Sequence, residues 1–108
     1  MKVVINRNYG GFGLSKRAME ELAIRKGWIA DTDMYKYVVL INNDNEVLHP
    51  CDIPRDDLDL VATVEALGED VNSNYSELKV IEIPDDVNWY IEEYDGLEKV
   101  AERHRTWE

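Results

Sequence analysis

Three glycines occupy the point at which a predicted strand passes into a predicted helix. Gly10, Gly11 and Gly13 separate the apolar residues 3–5 from the amphipathic segment that follows Ser15. Glycines let backbone N–H groups approach an anion closely, and a helix N-terminus adds about half a positive charge. This pattern is typical of a loop that holds a negatively charged ligand. A tight turn that only connects strand and helix would have the same composition, so both interpretations stay open.

Two well-known nucleotide-binding motifs do not fit the glycine segment. The dinucleotide fingerprint G-x-G-x-x-G would need a glycine where Lys16 stands. A P-loop needs G-x-x-x-x-G-K-[ST], and this spacing is absent here. Any ligand site in this segment is therefore of another kind.

The residue types around the glycines suggest how an anion would be held. Arg7 and Lys16 bring positive charge, and Ser15 brings a hydroxyl or, alternatively, the N-cap of the helix. Tyr9 and Phe12 flank the glycines and could stack on a planar ring such as a nucleobase, although Phe12 could equally fill the core. A second basic cluster, "RHRTW" at residues 103–107, would add a guanidinium if the fold brings it near. The predicted ligand-binding residues are Arg7, Tyr9, Gly11, Phe12, Gly13, Ser15, Lys16 and Arg105.

The charge of the chain is strongly negative and unevenly distributed. Its 108 residues carry a formal net charge of −11, yet half of the basic residues lie in residues 1–28 beside only Glu20 and Glu21. Duplex DNA binding needs a continuous basic footprint, which this distribution disfavours. A small anion held at the basic N-terminal part, or a basic protein held by the acidic remainder, is compatible with it.

No catalytic residue, metal site or cofactor is predicted. The acidic pairs, such as Asp85 with Asp86 and Glu92 with Glu93, are typical of solvated surface. His49 and Cys51 are only two potential metal ligands and lack a zinc-binding spacing. A single cysteine cannot form an intrachain disulfide, which is consistent with a reducing cytosol. No apolar run approaches the roughly 20 residues that cross a bilayer, so no membrane contact is expected.

The hydrophobic periodicity predicts one α+β domain over residues 1–108, with the order β-α-β-β-α-β-β-α. We expect a mostly antiparallel sheet with the helices packed on one face. Ser15 and Gly27 should delimit the first helix, and Gly68 should end the second. The sequence D-G-L-E at residues 95–98 predicts a capping box for a third helix. The predicted strands are residues 2–8, 35–41, 47–49, 78–83 and 87–94, the last two paired as a hairpin.

Two long segments resemble a family of small proteins from tailed bacteriophages and prophages. They are VVINRNYGGFGLS at residues 3–15 and VIEIPDDVNWYIEEYDGLEKVAERHRTW at residues 80–107, and DLDLVATVEALG at residues 57–68 matches more loosely. The family has no settled activity. The resemblance therefore implies a viral or prophage origin and a location in the host cytosol, and it assigns no chemistry to any residue.

These observations lead to three ranked hypotheses. The first is a non-catalytic protein that binds a small anionic, nucleotide-like ligand at the strand–glycine–helix junction and sequesters a host defence signal, with the site at a boundary between subunits of a homo-oligomer. The second is an acidic interaction module or decoy that inhibits a basic host protein through residues 85–98. The third is a small hydrolase.

Overall fold

The computed structural model describes residues 1–103, which form two α-helices and seven antiparallel strands. The α+β class and the mostly antiparallel pairing are thereby confirmed. The elements in chain order are β1 (Lys2–Asn6), α1 (Lys16–Lys26), β2 (Ile29–Thr32), β3 (Val38–Ile41), β4 (Val47–Leu48), α2 (Leu58–Leu67), β5 (Leu78–Glu82), β6 (Trp89–Tyr94) and β7 (Leu97–Glu102). Short 3-10 turns at Pro50–Asp52 and Gly68–Val71 flank α2.

The strands form three small sheets and not the single sheet that was predicted. β1 pairs with β5, β3 lies between β2 and β4, and β6 pairs with β7. One reason is that side chains and a loop occupy the outer edge of β1. The N–H of Val4 donates to the carbonyl of Arg55 at 2.8 Å, and the N–H of Asn6 donates to the Glu98 carboxylate at 2.8 Å. With these donors taken, β1 cannot continue its hydrogen-bonded ladder into β7.

Helix α1 has the boundaries that its sequence predicts. The side chain of Ser15 accepts a hydrogen bond from the N–H of Ala18 at 3.1 Å, which satisfies one of the free donors of the first turn. Gly27 ends the helix in a left-handed conformation with φ of 68°. The helix buries one face, formed by Ala18, Met19, Leu22 and Ala23.

Helix α2 completes the main core. Asp57 caps it by accepting from the N–H of Leu60 at 2.9 Å, and Gly68 follows its last residue, as predicted. Lys26 at the end of α1 bonds to Asp57 at 2.7 Å and to Asp59 at 3.2 Å. Burial lowers the pKa of Lys26, but the two carboxylates outweigh burial and leave that pKa raised. The core between the helices and the sheets contains Val4, Leu14, Ala18, Met19, Leu22, Ala23, Leu40, Ile53, Leu60, Val61, Val64 and Val71.

The predicted third helix is wrong, because the segment after Asp95 forms a strand. Asp95 and Gly96 have φ of 53° and 89°, the two positive values that a tight two-residue hairpin turn needs. Asp-Gly between two segments of alternating hydrophobicity predicts a hairpin more strongly than D-G-L-E predicts a helix. β6 therefore turns directly into β7, with Tyr94 opposite Leu97.

The predicted pairing of residues 78–83 with residues 87–94 is also wrong. β5 pairs with β1 instead, with Val4 opposite Val80 and Lys2 opposite Glu82. β2 lies in a segment for which no strand was predicted, and its pairing with β3 places β3 at the centre of its sheet. Strands that are distant in sequence are not joined by a short turn, so no local sequence signal marks their pairing. The short connection between residues 78–83 and 87–94 therefore favoured the wrong partner.

Within residues 1–103, no helix is long and apolar enough to span a membrane.

The turn between β6 and β7 generates a stability prediction. A Cβ at Gly96 would lie 2.5 Å from the carbonyl oxygen of Tyr9 and 2.6 Å from the N of Gly11, whereas nothing lies within 4 Å of one at Gly27. Both glycines have positive φ. Gly27→Ala should therefore cost only the backbone strain, about 1 kcal/mol, and Gly96→Ala about 3 kcal/mol or more. Urea unfolding of the two variants measures the difference, and equal losses would contradict the packing of this turn on the glycine segment.

Candidate functional site

The glycine segment is packed against another loop of its own chain. A Cβ at Gly10 would lie 2.2 Å from the carbonyl oxygen of Tyr75, and one at Gly13 would lie 2.9 Å from the Ser73 hydroxyl. The carbonyl of Gly13 accepts a hydrogen bond from Ser76 at 2.9 Å. Gly10 and Gly13 thus leave no room for a side chain. A Cβ at Gly11 would meet nothing within 4 Å, but its φ of 95° is one that other residues rarely adopt, so all three glycines have a structural reason to be glycine.

The N-terminus of α1 already has polar neighbours. Ser15 uses its hydroxyl twice, because it caps the helix and donates to the carbonyl of Asp70 at 2.6 Å. Asp70 also forms an ion pair with Arg17 at 3.0 Å. An anion entering here would meet the Asp70 carboxylate. Lys16, another predicted ligand residue, is exposed and lies 4.0 Å from Glu20.

The two predicted stacking residues differ in their surroundings. Tyr9 is 66% exposed, whereas Phe12 is half-buried and packs against the main core. The guanidinium of Arg55 lies over the Phe12 ring at 3.6 Å from its centroid. This is the short cation–π geometry in which arginine occupies one face of an aromatic ring. That face of Phe12 is therefore not open to a planar ligand.

The sequence did not predict the ion pair between Arg55 and Glu98, which adjoins the glycine segment at Phe12. Glu98 is 3% exposed, and its two carboxylate oxygens bond to Arg55 at 2.5 and 2.9 Å. The backbone N–H of Asn6 donates to the same carboxylate, and Arg7 donates from Nη1 to the carbonyl of Glu98 at 2.8 Å. A bidentate, buried pair of this kind fixes both partners in position. It holds β7 against the end of β1.

The buried side chain of Asn6 also stabilises the junction between the end of β1 and the β6–β7 hairpin. Asn6 is fully buried, and its side chain donates to the carbonyls of Asn8 and Gly96 and accepts from the N–H groups of Asn8 and Glu77. A polar residue at the end of the apolar run VVIN was the one signal from which this network could have been predicted. In the described part of the chain, every buried side-chain nitrogen and oxygen has a hydrogen-bond partner.

The Arg7 side chain faces a cavity of about 350 Å³ at the β6–β7 hairpin. We call it the hairpin cavity; its lining residues are Arg7, Glu92, Glu93, Tyr94, Leu97, Glu98 and Lys99. Cavities from about 300 Å³ upward accommodate small ligands or side chains of a partner. Among the predicted ligand residues within 1–103, Arg7 is the one that lines it.

Most charges around the hairpin cavity are neutralised within the chain. Lys99 pairs with Glu92 at 3.0 Å, and Tyr90 donates to Glu92 at 2.7 Å. The hydrogen bond from Tyr90, together with Lys99, lowers the pKa of Glu92. Glu98 is paired with Arg55. Within residues 1–103, Glu93 has no lysine, arginine or histidine nitrogen within 4.0 Å, so it is the carboxylate that can receive a cation from outside.

The arrangement does not favour acid–base hydrolysis. Glu93 and Glu98 stand opposite each other on β6 and β7 and both line the cavity, as a carboxylate pair would need. However, both oxygens of Glu98 bond to Arg55, which leaves this carboxylate poorly placed to move a proton to a substrate. No group of three His, Cys, Asp or Glu side chains that could hold a metal ion occurs in residues 1–103.

Arg105 lies outside the described residues, as do His104 and Trp107. The contribution of Arg105 to the anion site therefore stays a prediction.

No protein-family model matches the chain, and no curated protein or solved structure is significantly similar to it. The resemblance to small phage proteins therefore stays a prediction.

The buried ion pair generates a second stability prediction. Glu98→Ala would leave Arg55, whose side chain is only 17% exposed, without its partner, and should cost about 3–5 kcal/mol. Glu92→Ala removes a carboxylate of the same hairpin from an exposed pair with Lys99, and we expect little change. Urea unfolding at neutral pH compares the two variants. A Glu98→Ala protein as stable as Glu92→Ala would show that the pair does not anchor the hairpin.

Proposed function

We propose that this protein is a non-catalytic, acidic interaction module that binds a basic protein through the β6–β7 hairpin. The observation that carries the proposal is Glu93, a carboxylate without a cationic partner in residues 1–103, at a cavity walled by Tyr94 and Leu97. An apolar wall with a carboxylate beside it suits the stem and the charged head of a lysine or arginine. The partner would insert one such side chain into the hairpin cavity.

The distribution of ion pairs supports a cationic partner. Many described basic side chains are engaged by carboxylates of the same chain, in the pairs Lys2–Glu65, Lys16–Glu20, Arg17–Asp70, Arg25–Glu21, Lys26–Asp57, Arg55–Glu98 and Lys99–Glu92. Arg103 stacks on Tyr90. With a net charge of −11, the field at the surface is set by carboxylates that remain. Such a field speeds encounter with a basic protein and repels nucleic acid.

The hairpin is held rigidly, which favours binding. Glu98 ties β7 to Arg55, and Asn6 bonds to the carbonyl of Gly96 in the turn. The tip residues Glu93, Tyr94 and Asp95 are exposed, Tyr94 to 76%. A tyrosine side chain has only two rotatable bonds, so an exposed tyrosine on an anchored hairpin loses little entropy on binding and is a suitable anchor.

The phage resemblance gives this proposal a biological setting. A small acidic protein in an infected cell would act as a decoy that occupies the basic surface of a host protein. The host cytosol is the location that goes with this role.

Neutralising the hairpin tip tests the proposed function. The immobilised protein should retain basic proteins from a bacterial lysate at about 50 mM salt and release them by about 300 mM, because salt screens exposed charges. Glu93→Gln with Asp95→Asn should reduce this retention several-fold while keeping the turn, since asparagine tolerates positive φ. Proteins are identified and quantified by mass spectrometry.

The matched control is Glu69→Gln with Glu82→Gln, which removes the same charge from exposed positions away from the hairpin. Equal loss in both variants, or retention that salt does not change, would argue against docking at the hairpin.

A second candidate function, capture of a small anion, has one specific observation in its favour. Arg7 lines the hairpin cavity and has no carboxylate oxygen within 4.0 Å in residues 1–103. A nucleotide phosphate could bond to this guanidinium, with Gly11 and Lys16 on the adjoining segment and a second subunit closing the site. The carboxylates in the cavity wall make this candidate weaker than the first.

A thermal-shift series tests anion capture. A nucleotide that binds should stabilise the protein by about 2.7 kcal/mol when its concentration is 100 times Kd, which raises Tm measurably. Arg7→Gln should abolish the rise, and Lys79→Gln, an exposed cation on β5, should leave it intact. If no member of a nucleotide panel raises Tm, or if both variants respond alike, the anion does not bind at Arg7.

A further inference from the structure

The outer face of the β2–β3–β4 sheet carries an apolar row that the core does not use. Ile29, Ile41 and Val47 are direct neighbours across the three strands. Ile29 is 63% exposed and Val47 is 54% exposed, with Ile41 half-buried between them. The opposite face, with Ala30, Leu40 and Leu48, packs against the main core. This sheet is therefore apolar on both sides. On the outer side Val39, opposite Asp31, is buried, and the row of Ile29, Ile41 and Val47 is the accessible apolar part of that face.

Exposed aromatic and sulfur-containing side chains adjoin the same sheet. The loop between β2 and β3 carries Met34, Tyr35 and Tyr37, which are 86%, 73% and 70% exposed. The loop is ordered by Asp33, whose carboxylate accepts from the N–H groups of Tyr35 and Tyr37, both at 2.9 Å. Tyrosine and methionine are enriched in protein interfaces, where they supply large contact area.

The charges around the row are almost all negative. Asp31 lies on the same face as Ile29, and Asp44 and Glu46 lie in the turn between β3 and β4. Within residues 1–103, none of these carboxylates has a lysine, arginine or histidine nitrogen within 4.0 Å. Lys36 is the one basic residue in residues 29–48. An apolar row with an uncompensated acidic border is complementary to an apolar segment that carries cations.

We infer that the outer face of the β2–β3–β4 sheet is a docking surface for a protein segment that alternates apolar and basic side chains. Its apolar side chains would cover Ile29, Ile41 and Val47, and its lysines or arginines would face Asp31, Asp44 and Glu46. A second copy of this chain fits less well, because it would bring carboxylates against carboxylates. The inference rests on the proposed function of an acidic interaction module but uses a surface separate from the hairpin cavity.

A synthetic peptide of alternating leucine and lysine, about ten residues long, serves as the probe. Added to the isotope-labelled full chain, it should shift the amide resonances of β2, β3 and β4, with smaller changes in β6 and β7. A peptide of leucine and glutamate should produce no shifts, and one of serine and lysine should bind at least about tenfold more weakly, because it lacks the apolar contacts.

Paired variants make the test specific. Ile29→Thr with Val47→Thr keeps residues that favour strands and should raise Kd for the leucine–lysine peptide at least about tenfold. The control, Ile24→Gln with Leu58→Gln, removes exposed apolar side chains from the two helices, 75% and 85% exposed, and should change Kd less than twofold.

Equal effects of the two paired variants, resonance shifts in β6 and β7 as large as those in β2, β3 and β4, or binding of the leucine–glutamate peptide would overturn the inference. Concentration-dependent dimerisation that Ile29→Thr with Val47→Thr abolishes would overturn it as well, since a second copy would then be the occupant. Glu93→Gln with Asp95→Asn should leave the peptide affinity unchanged. The hairpin proposal and this inference can therefore fail separately.

Discussion

The ion pair between Arg55 and Glu98 determines how the two ends of the described chain come together. Arg55 precedes α2 and Glu98 lies on β7, and the two also engage the backbone of β1 at Val4 and Asn6. Because Glu98 is buried and the Arg55 side chain is only 17% exposed, losing either partner would leave a charge in a poorly solvated position. The guanidinium also covers Phe12, so the same residue orders the glycine segment. Glu98 and Arg7 both line the hairpin cavity, so this junction forms part of its wall.

Many basic side chains of the described chain are paired with carboxylates of the same chain, and the remaining carboxylates leave the surface negatively charged. Arg55 and Lys26 serve the interior, where they join elements distant in sequence. Arg17 and Arg25 are occupied by carboxylates on or near α1. The basic residues of the N-terminal part, which favoured an anion site in the sequence, therefore mostly contact carboxylates of the same chain. This is the physical reason for placing the binding of a basic partner above the capture of an anion.

The local features of the fold could be predicted from the sequence, and the long-range ones could not. Ser15 and Gly27 delimit α1 because capping depends on neighbouring residues alone. The pairing of β1 with β5 and the contact of Asn6 with Glu98 depend on which distant segments meet, and no residue pattern specifies that. Asp95-Gly96 contained the hairpin signal, but Glu98 three residues after Asp95 imitated a capping box. Within the predicted site, Arg7 lines a cavity, whereas Ser15 and Phe12 are engaged by the protein itself.

The partners of β1 lie far along the chain, which bears on folding during synthesis. α1, β2, β3 and β4 are consecutive in the chain and can associate while synthesis continues, because their contacts close short loops. β1 pairs with β5 at Leu78–Glu82, and the Glu98 carboxylate that accepts from the N–H of Asn6 lies 92 residues further along the chain. We therefore expect the apolar residues Val3, Val4 and Ile5 to stay without a strand partner on a nascent chain until β5 has been synthesised. The junction around Asn6 is complete only once β7 follows, so we expect the nascent chain to reach its full stability late in synthesis.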